Sequence, residues 1–342
     1  YAPRAKKFPY KGALPPRDCV FGPLSLLSDK VSHNYFRQMV KAFTGFDQYF
    51  QDTWYQHEDY AGALVSFVQH CFDTGDAARA TVAHVLCFLA YVDPEAKAHC
   101  AFAWKAWAGW GKRAPRKSWL PLPRVLTLLF AFCLMSSGDE YEFDVGLGLL
   151  LAFHVYARGA EIDGLCHSHV VLGSDLRSLS GRTQIFFVTT KAGRPQAVTV
   201  DDPLGLAVVH VALRRARRRA TTTCRDPALF DFGPGGFMPR FKSVQRRCGY
   251  LMAIFVRHSC RHGGATNDFS RHLRAVVEVS QRLRHADTKT TQAYLQDTQA
   301  HLLMQKVPKD AAALVKKFGG EAGLAKRLMR LLGATRGPPV PT

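Results

Sequence analysis

Acidic residues are scarce in this sequence: 27 Asp and Glu stand against 46 Lys and Arg in 342 residues, a net charge of +19. Long apolar runs are missing as well. The longest, VLTLLFAFCLM (125–135) and LLLAFHVYA (149–157), fall short of the roughly 20 residues a membrane-crossing helix needs. No N-terminal stretch combines a basic flank, an apolar centre and a small-residue cleavage site, so secretion is not expected. A start at Tyr1 rather than Met is what a processed or excised part of a longer chain would show. The nine cysteines are odd in number and include no CxxC pair, which fits a reducing compartment better than a disulfide framework. Cys166-His167-Ser168-His169 lacks a second ligand pair at zinc spacing, so no metal is expected there. No basic amphipathic helix flanked by Trp or Phe points to a membrane surface, and no internal repeat is visible.

What is present reads as globular: 47% hydrophobic and 11% aromatic residues, in a chain long enough for two domains. A folded, non-secreted chain this basic most often binds a polyanion, with nucleic acid the default. Residues 1–24, rich in Pro and Lys/Arg, read as a basic arm. A helical domain is expected over 25–112, with helices near 28–43, 60–72, 78–92 and 95–110. Trp104 and Trp107 lie on one face of the last, as a core stripe. A basic linker follows over 113–120, and Lys112, Arg113, Arg116 and Lys117 are candidates to cross a phosphate backbone. The second domain, 121–307, mixes helices near 121–135, 142–157, 203–219, 240–256, 260–269, 273–283 and 288–305. TQIFFVTT-KAGR-PQAVTV supplies a hairpin. A C-terminal segment, 308–342, carries a last helix near 320–332. The fold class is thus mainly α with a small β-sheet or hairpin, an α+β chain.

Five fragments carry the chemistry. They are Arg158 with Glu161 at +3 and Leu165 at +7, Lys191 in the hairpin turn, HSCRHGGAT with His258 and Arg261, then His285, then Tyr294. Two arginines offer forked donors matched to phosphate oxygens. Two histidines can share proton transfer near neutral pH, and a lysine on a turn can protonate a leaving oxygen. Tyrosine, ordinarily a poor nucleophile, becomes usable when a phosphate is held and its charge neutralised. With no acidic cluster, that set describes metal-free phosphoryl transfer through a phosphotyrosine. Glu161 is expected to brace a histidine or arginine, and His154 to pack in the core.

In these positions the sequence resembles the tyrosine recombinases, the phage-integrase type of site-specific recombinase. Arg158-Glu161-Leu165, Lys191, His258-Arg261-His262-Ala265-Thr266 and His285-Thr290-Thr291-Tyr294 match the family's motifs in order, with its nine-residue His-to-Tyr step. The resemblance implies a helical core-binding domain and a catalytic domain forming a C-shaped clamp on double-stranded DNA with inverted core sites. It implies attack by Tyr294 to give a 3′-phosphotyrosyl link, with Arg158, Arg261 and His285 on the phosphate. Lys191 is then the acid and His258 assists proton transfer at the tyrosine, with Glu161 and His262 in support. No cofactor or metal is implied, and the partners are DNA and a homotetramer passing through a Holliday junction, as in a mobile element's integrase. The segment 308–342 is a candidate intersubunit contact. The run RRARRR (214–219) is a candidate nuclear-localisation signal if the host is eukaryotic, with a cytoplasmic location otherwise. Three departures stand in the motifs: Arg284 replaces the family's glycine before His285, Gln296 replaces a common histidine two residues after Tyr294, and Gly263-Gly264 replace bulkier residues. Each of these glycines is expected to weaken its helix by about 1 kcal/mol. A type IB topoisomerase, a telomere resolvase-like enzyme and a catalytically silent DNA-binding protein are the alternatives.

Overall fold

The computed structural model describes residues 33–57, 59–93, 95–114, 119–188, 195–221, 224, 226–285, 288–292, 295 and 297–334. The chain forms two compact units, 1–117 and 118–342. The N-terminal arm, Arg116 and Lys117 lie outside the described residues.

The first unit is all helical. α1 (His33–Thr53) places Phe36, Met39, Phe43 and Phe46 on one face at helical spacing, and all four are buried. The helix continues past Phe43, its expected end, because Phe46 extends that stripe onto Phe67 at 5.1 Å. α2 (Tyr60–Thr74) opens on Asp59, whose carboxylate accepts the Gly62 amide at 2.6 Å, and closes on left-handed Gly75. α3 (Arg79–Val92) supplies Val82, Val85, Phe88 and Leu89 to the same core. The expected single helix over 95–110 is two, α4 (Ala96–His99) and α5 (Ala101–Arg113), meeting at Cys100. Lys112 and Arg113 therefore form the last turn of α5, where cations suit the helix's carbonyl end. Trp104 and Trp107 pack against the core as expected. The Trp107 indole donates to the Arg79 carbonyl at 3.0 Å, and the Arg79 guanidinium lies 4.0 Å from its ring centre.

The second unit is built on α6 (Arg124–Met135) and α7 (Glu140–His154). α7 is buried all round from Asp144 to His154, as expected of a helix without a polar face. After α8 (Gly159–Asp163) comes a three-stranded antiparallel sheet of β1 (Val170–Val171), β2 (Gln184–Phe187) and β3 (Gln196–Thr199). β2 and β3 are the expected hairpin, in register from Gln184 with Thr199 to Phe187 with Gln196. β1, two residues long, is too short for sequence alternation to reveal. α9 (Pro203–Arg219) begins under an Asp202 cap and ends in the basic run. That run is partly spent on structure. Arg215 and Arg219 bind the buried Asp144 at 2.5 and 3.1 Å, and Arg217 donates to His167 at 3.0 Å.

α10 (Phe237–Arg247) ends well before the expected residue 256, because Gly249 turns the chain at φ 87°. Beyond it, Gln245 both donates to and accepts from the Phe255 backbone at 3.0 Å, setting the entry to α11 (Arg257–Ser270). α12 (Val276–Leu283), α13 (Thr288–Gln292) and α14 (Asp297–Gln305) follow, so the expected helix over 288–305 is broken in two. α15 (Lys309–Lys317) and α16 (Gly320–Ala334) pack on the same unit, with Ala311, Leu324, Leu328 and Leu332 in its core. Of the C-terminal segment, 335–342 lie outside the described residues. No helix among the described residues is long and apolar enough to cross a membrane.

The paired glycines have a packing role that helix propensity alone does not convey. A β-carbon on Gly263 would run into the Leu122 carbonyl, and one on Gly264 into the Phe153 carbonyl. Both obstacles are backbone and cannot swing aside, so the glycines let α11 lie directly on the segments before α6 and at the end of α7. Gly263→Ala is expected to destabilise the protein by about 3 kcal/mol, the upper range for overpacking a core. Urea denaturation checks this; a midpoint at or above that of the parent would contradict it.

Candidate active site

The site begins where α7 ends. Tyr156 takes a left-handed φ of 49°, an unusual state for a bulky residue. Its carbonyl accepts two guanidinium groups, those of Arg261 at 2.5 Å and Arg284 at 3.4 Å. Its hydroxyl donates to Asp268 at 2.5 Å, fixing the ring against α11. Two residues on, Arg158 caps α8, and the +3 spacing of Glu161 does two jobs. One carboxylate oxygen accepts the Arg158 amide at 2.7 Å as a helix cap; the other accepts its Nη1 at 2.6 Å. The Glu161 side chain is 3% exposed and that of Arg158 28%, so the carboxylate is sealed in while the guanidinium keeps an open side.

Arg261 is fully buried on α11. Besides the Tyr156 carbonyl it holds the Leu283 carbonyl, and its Nη2 lies 3.3 Å from His285 Nε2. Arginine has donors only, so Nε2 accepts and the His285 proton sits on Nδ1. Nδ1 then donates to Thr291 Oγ1 at 3.0 Å, and Thr291 is itself fully buried. His258, in the first turn of α11, has its ring 4.8 Å from that of the buried His262. Arg257 pins the same turn to α8 through Asp163 and the Gly159 carbonyl.

Burial of Glu161 would raise its pKa. The adjacent Arg284, with the Arg158 amide and guanidinium, outweighs that and holds the carboxyl below its usual range. Both histidines are lowered as well, but by burial and by neighbouring cations, which disfavour the charged form. Burial, then Arg261 and Arg158, lower His258 to about 4, and burial with Arg261, Arg158 and Arg284 lowers His285 to about 4. Each ring is therefore neutral at pH 7. The sign for stability follows. The unfolded rings take up protons below about pH 6.5, while the folded rings resist until about 4, so stability is lost as pH falls between the two. Histidine NMR of the free protein is expected to show both rings uncharged at pH 5.5; titration near 6.5 would contradict the burial described.

Arg158, Glu161, His258, Arg261, His262 and His285 thus come together on α8, α11 and the turn after α12. Lys191 and Tyr294 lie outside the described residues. Their neighbours are described: β2 and β3, the strands before and after Lys191 in sequence, pair antiparallel. On either side of Tyr294, Thr291 is bonded to His285, and Leu295 packs on Tyr156, Ala265, Val279 and Leu283. Lys112 and Arg113 belong to the other unit.

Two contributors escape a reading by motif. Tyr156 acts through its carbonyl, which no residue type signals. Arg284 lies 2% exposed at φ 58°, with Glu161 at 2.5 Å; a cation in place of a turn glycine was the only hint. The Cys166–His169 run is occupied otherwise. His169 accepts the Cys166 amide at 3.1 Å and Asp226 binds Ser168 at 2.6 Å. Among the described residues no three His, Cys, Asp or Glu side chains are grouped to hold a metal.

No protein-family model and no curated protein sequence matches the chain. Solved structures do. A lambda integrase dimer bound to a COC′ core site superposes with a TM-score of 0.52 at 14% identity, over 80% of this chain and 75% of that one. A XerH site-specific recombinase bound to a palindromic difH substrate, a post-cleavage complex, gives 0.51 at 13%, over 80% and 79%. At such identities what is shared is the fold, and this chain has the tyrosine-recombinase fold.

Proposed function

We propose that this chain is a site-specific tyrosine recombinase, which breaks and rejoins double-stranded DNA through a 3′-phosphotyrosyl intermediate without metal or ATP. The observation that carries the reading is the single hydrogen-bonded network joining Arg158, Arg261 and His285, with Thr291 bonded to it and Leu295 packed on the apolar cluster of Tyr156 and Leu283, whose carbonyls belong to it. Arg158 has an exposed edge for the non-bridging oxygens of a phosphate, and Arg261 supplies a second fixed positive charge. Two permanent cations in a partly dry site stabilise the charge of a five-coordinate phosphorus far better than they would in water.

In the proposed step the Tyr294 hydroxyl gives its proton to neutral His258 and its oxygen attacks phosphorus. The bond to the 5′-oxygen breaks, and Lys191 protonates that leaving oxygen. The phosphodiester is exchanged for a phosphotyrosyl ester of similar energy, so a 5′-hydroxyl from another strand can reverse the reaction without an energy source. His285 can donate to the phosphate once its ring gains a second proton, which a bound phosphate favours. Two such exchanges, made by four protomers on two synapsed sites with inverted core sequences, pass through a Holliday junction and recombine the duplexes. Insertion or excision of a mobile element is the reaction this would serve.

The test is covalent trapping. Duplexes from the ends of the element encoding the protein, or a randomised library, carry a nick beside each candidate scissile phosphate and are incubated in EDTA. A protein–DNA band that survives denaturing electrophoresis is expected. Binding that vanishes on denaturation for every duplex would remove the enzymatic reading and leave a DNA-binding protein.

A further inference from the structure

Arg284 fills no position of the motif set, yet its side chain reaches several parts of the site. Its Nη2 donates to Glu161 at 2.5 Å and to the Tyr156 carbonyl at 3.4 Å. Its Nη1 donates to the Arg282 carbonyl at 3.1 Å and the Val155 carbonyl at 3.4 Å. Its central carbon lies 4.5 Å from the ring centre of Phe187, the last residue of β2. The backbone is left-handed, at φ 58° and ψ 42°, and leads directly into His285. A side chain that bears strain in its backbone and buries a guanidinium is costly to keep unless its contacts are needed.

Those contacts lead to the phosphate-binding groups. Glu161 holds Arg158 with the carboxylate that Arg284 also grips. The Tyr156 carbonyl that Arg284 touches also orients Arg261. We infer that Arg284 is a positioning residue, which keeps Arg158, Arg261 and the His285 turn in register and shares the negative charge of Glu161. Without it, that charge falls on Arg158 alone, and the carboxylate competes with the scissile phosphate for the guanidinium. The inference rests on the proposed strand-cleavage reaction, and it separates two quantities. Loss of Arg284 slows cleavage and leaves DNA affinity intact, because no DNA contact is removed.

The experiment compares single-turnover cleavage of the trapping duplex with DNA affinity for wild type, Arg284→Gly, Arg284→Lys, Glu161→Gln and the double variant Arg284→Gly/Glu161→Gln. Glycine accepts φ 58° freely, so the turn itself is not strained by the change. Arg284→Gly is expected to slow cleavage about 100-fold, the effect of a misplacement near 1 Å, without weakening DNA binding. The double variant is expected to recover about tenfold over Arg284→Gly, as coupled neighbours do. Arg284→Lys stays slow, because one ammonium cannot span the carboxylate and the carbonyls. Cleavage by Arg284→Gly at the wild-type rate would overturn the inference. So would a parallel loss of cleavage and DNA affinity with no recovery in the double variant, which is the signature of misfolding. Should wild type form no adduct, the recombinase reading fails, and histidine NMR of the free proteins decides the positioning claim. His285 resonances unmoved by Arg284→Gly would overturn it; displaced resonances in a folded protein would support it.

Discussion

Tyr294→Phe is expected to bind the same duplexes as the parent and to form no covalent adduct with any of them. Removing an enzyme's nucleophile costs on the order of 10⁶-fold in rate, which a denaturing gel reads as absence. The change deletes one oxygen and keeps the ring, so it is a small change in size and shape. A free tyrosine hydroxyl has a pKa near 10 and is almost wholly protonated at neutral pH. In the proposed reaction the answer is cations for the phosphate and a neutral imidazole for the proton. His258, lowered to about 4 by burial and by Arg261 and Arg158, is neutral throughout the physiological range. A residual adduct in Tyr294→Phe would assign the nucleophile elsewhere, with the threonines of 288–291 the first to examine.

The second large effect separates the two arginines. Arg158→Ala is expected to reduce cleavage by about 10²–10³-fold, as loss of a fixed donor to a transition-state oxyanion does. Arg261→Ala is expected to reduce it by a similar factor, through loss of a fixed positive charge and of its contact with His285. Their consequences for folding differ. Arg158 has an open side, and its partner Glu161 keeps Arg284 when Arg158 is removed. Arg261 is sealed, and its loss strands the Leu283 carbonyl and takes from the Tyr156 carbonyl its shorter bond. Arg261→Ala is therefore expected to cost about 3 kcal/mol of stability, and Arg158→Ala much less. Thermal melts beside single-turnover kinetics check both halves; equal melting temperatures for the two variants would contradict the burial argument.

The grouping of Arg158, Glu161, His258, Arg261 and His285 is legible because their spacing fixes which helix ends they share. Glu161 at +3 from Arg158 is the geometry of a helix cap, and the expectation that it braces an arginine is met twice, by Arg158 and by Arg284. His258 and Arg261 share α11, although that helix begins at Arg257 rather than near 260. Helix limits proved harder to read where a single backbone angle decides them, as at Gly249, where α10 ends. The value of Gly263 and Gly264 was hidden for a related reason. Propensity prices a glycine within its own helix, whereas these two are set by carbonyls of Leu122 and Phe153, distant in sequence. Arg284 stands out as a departure, but its role depends on Glu161, 123 positions away, and on a left-handed turn that sequence does not display.

The most direct measurement is to find the atom that carries the DNA. An adduct trapped in EDTA would be digested with nuclease and trypsin and sequenced by mass spectrometry. Cleavage after Lys289 and Lys306 releases residues 290–306, a peptide with one tyrosine and three threonines. The account predicts a 3′-nucleotide on Tyr294 within that peptide. A nucleotide on Thr290, Thr291 or Thr298, or on any other peptide, would contradict it.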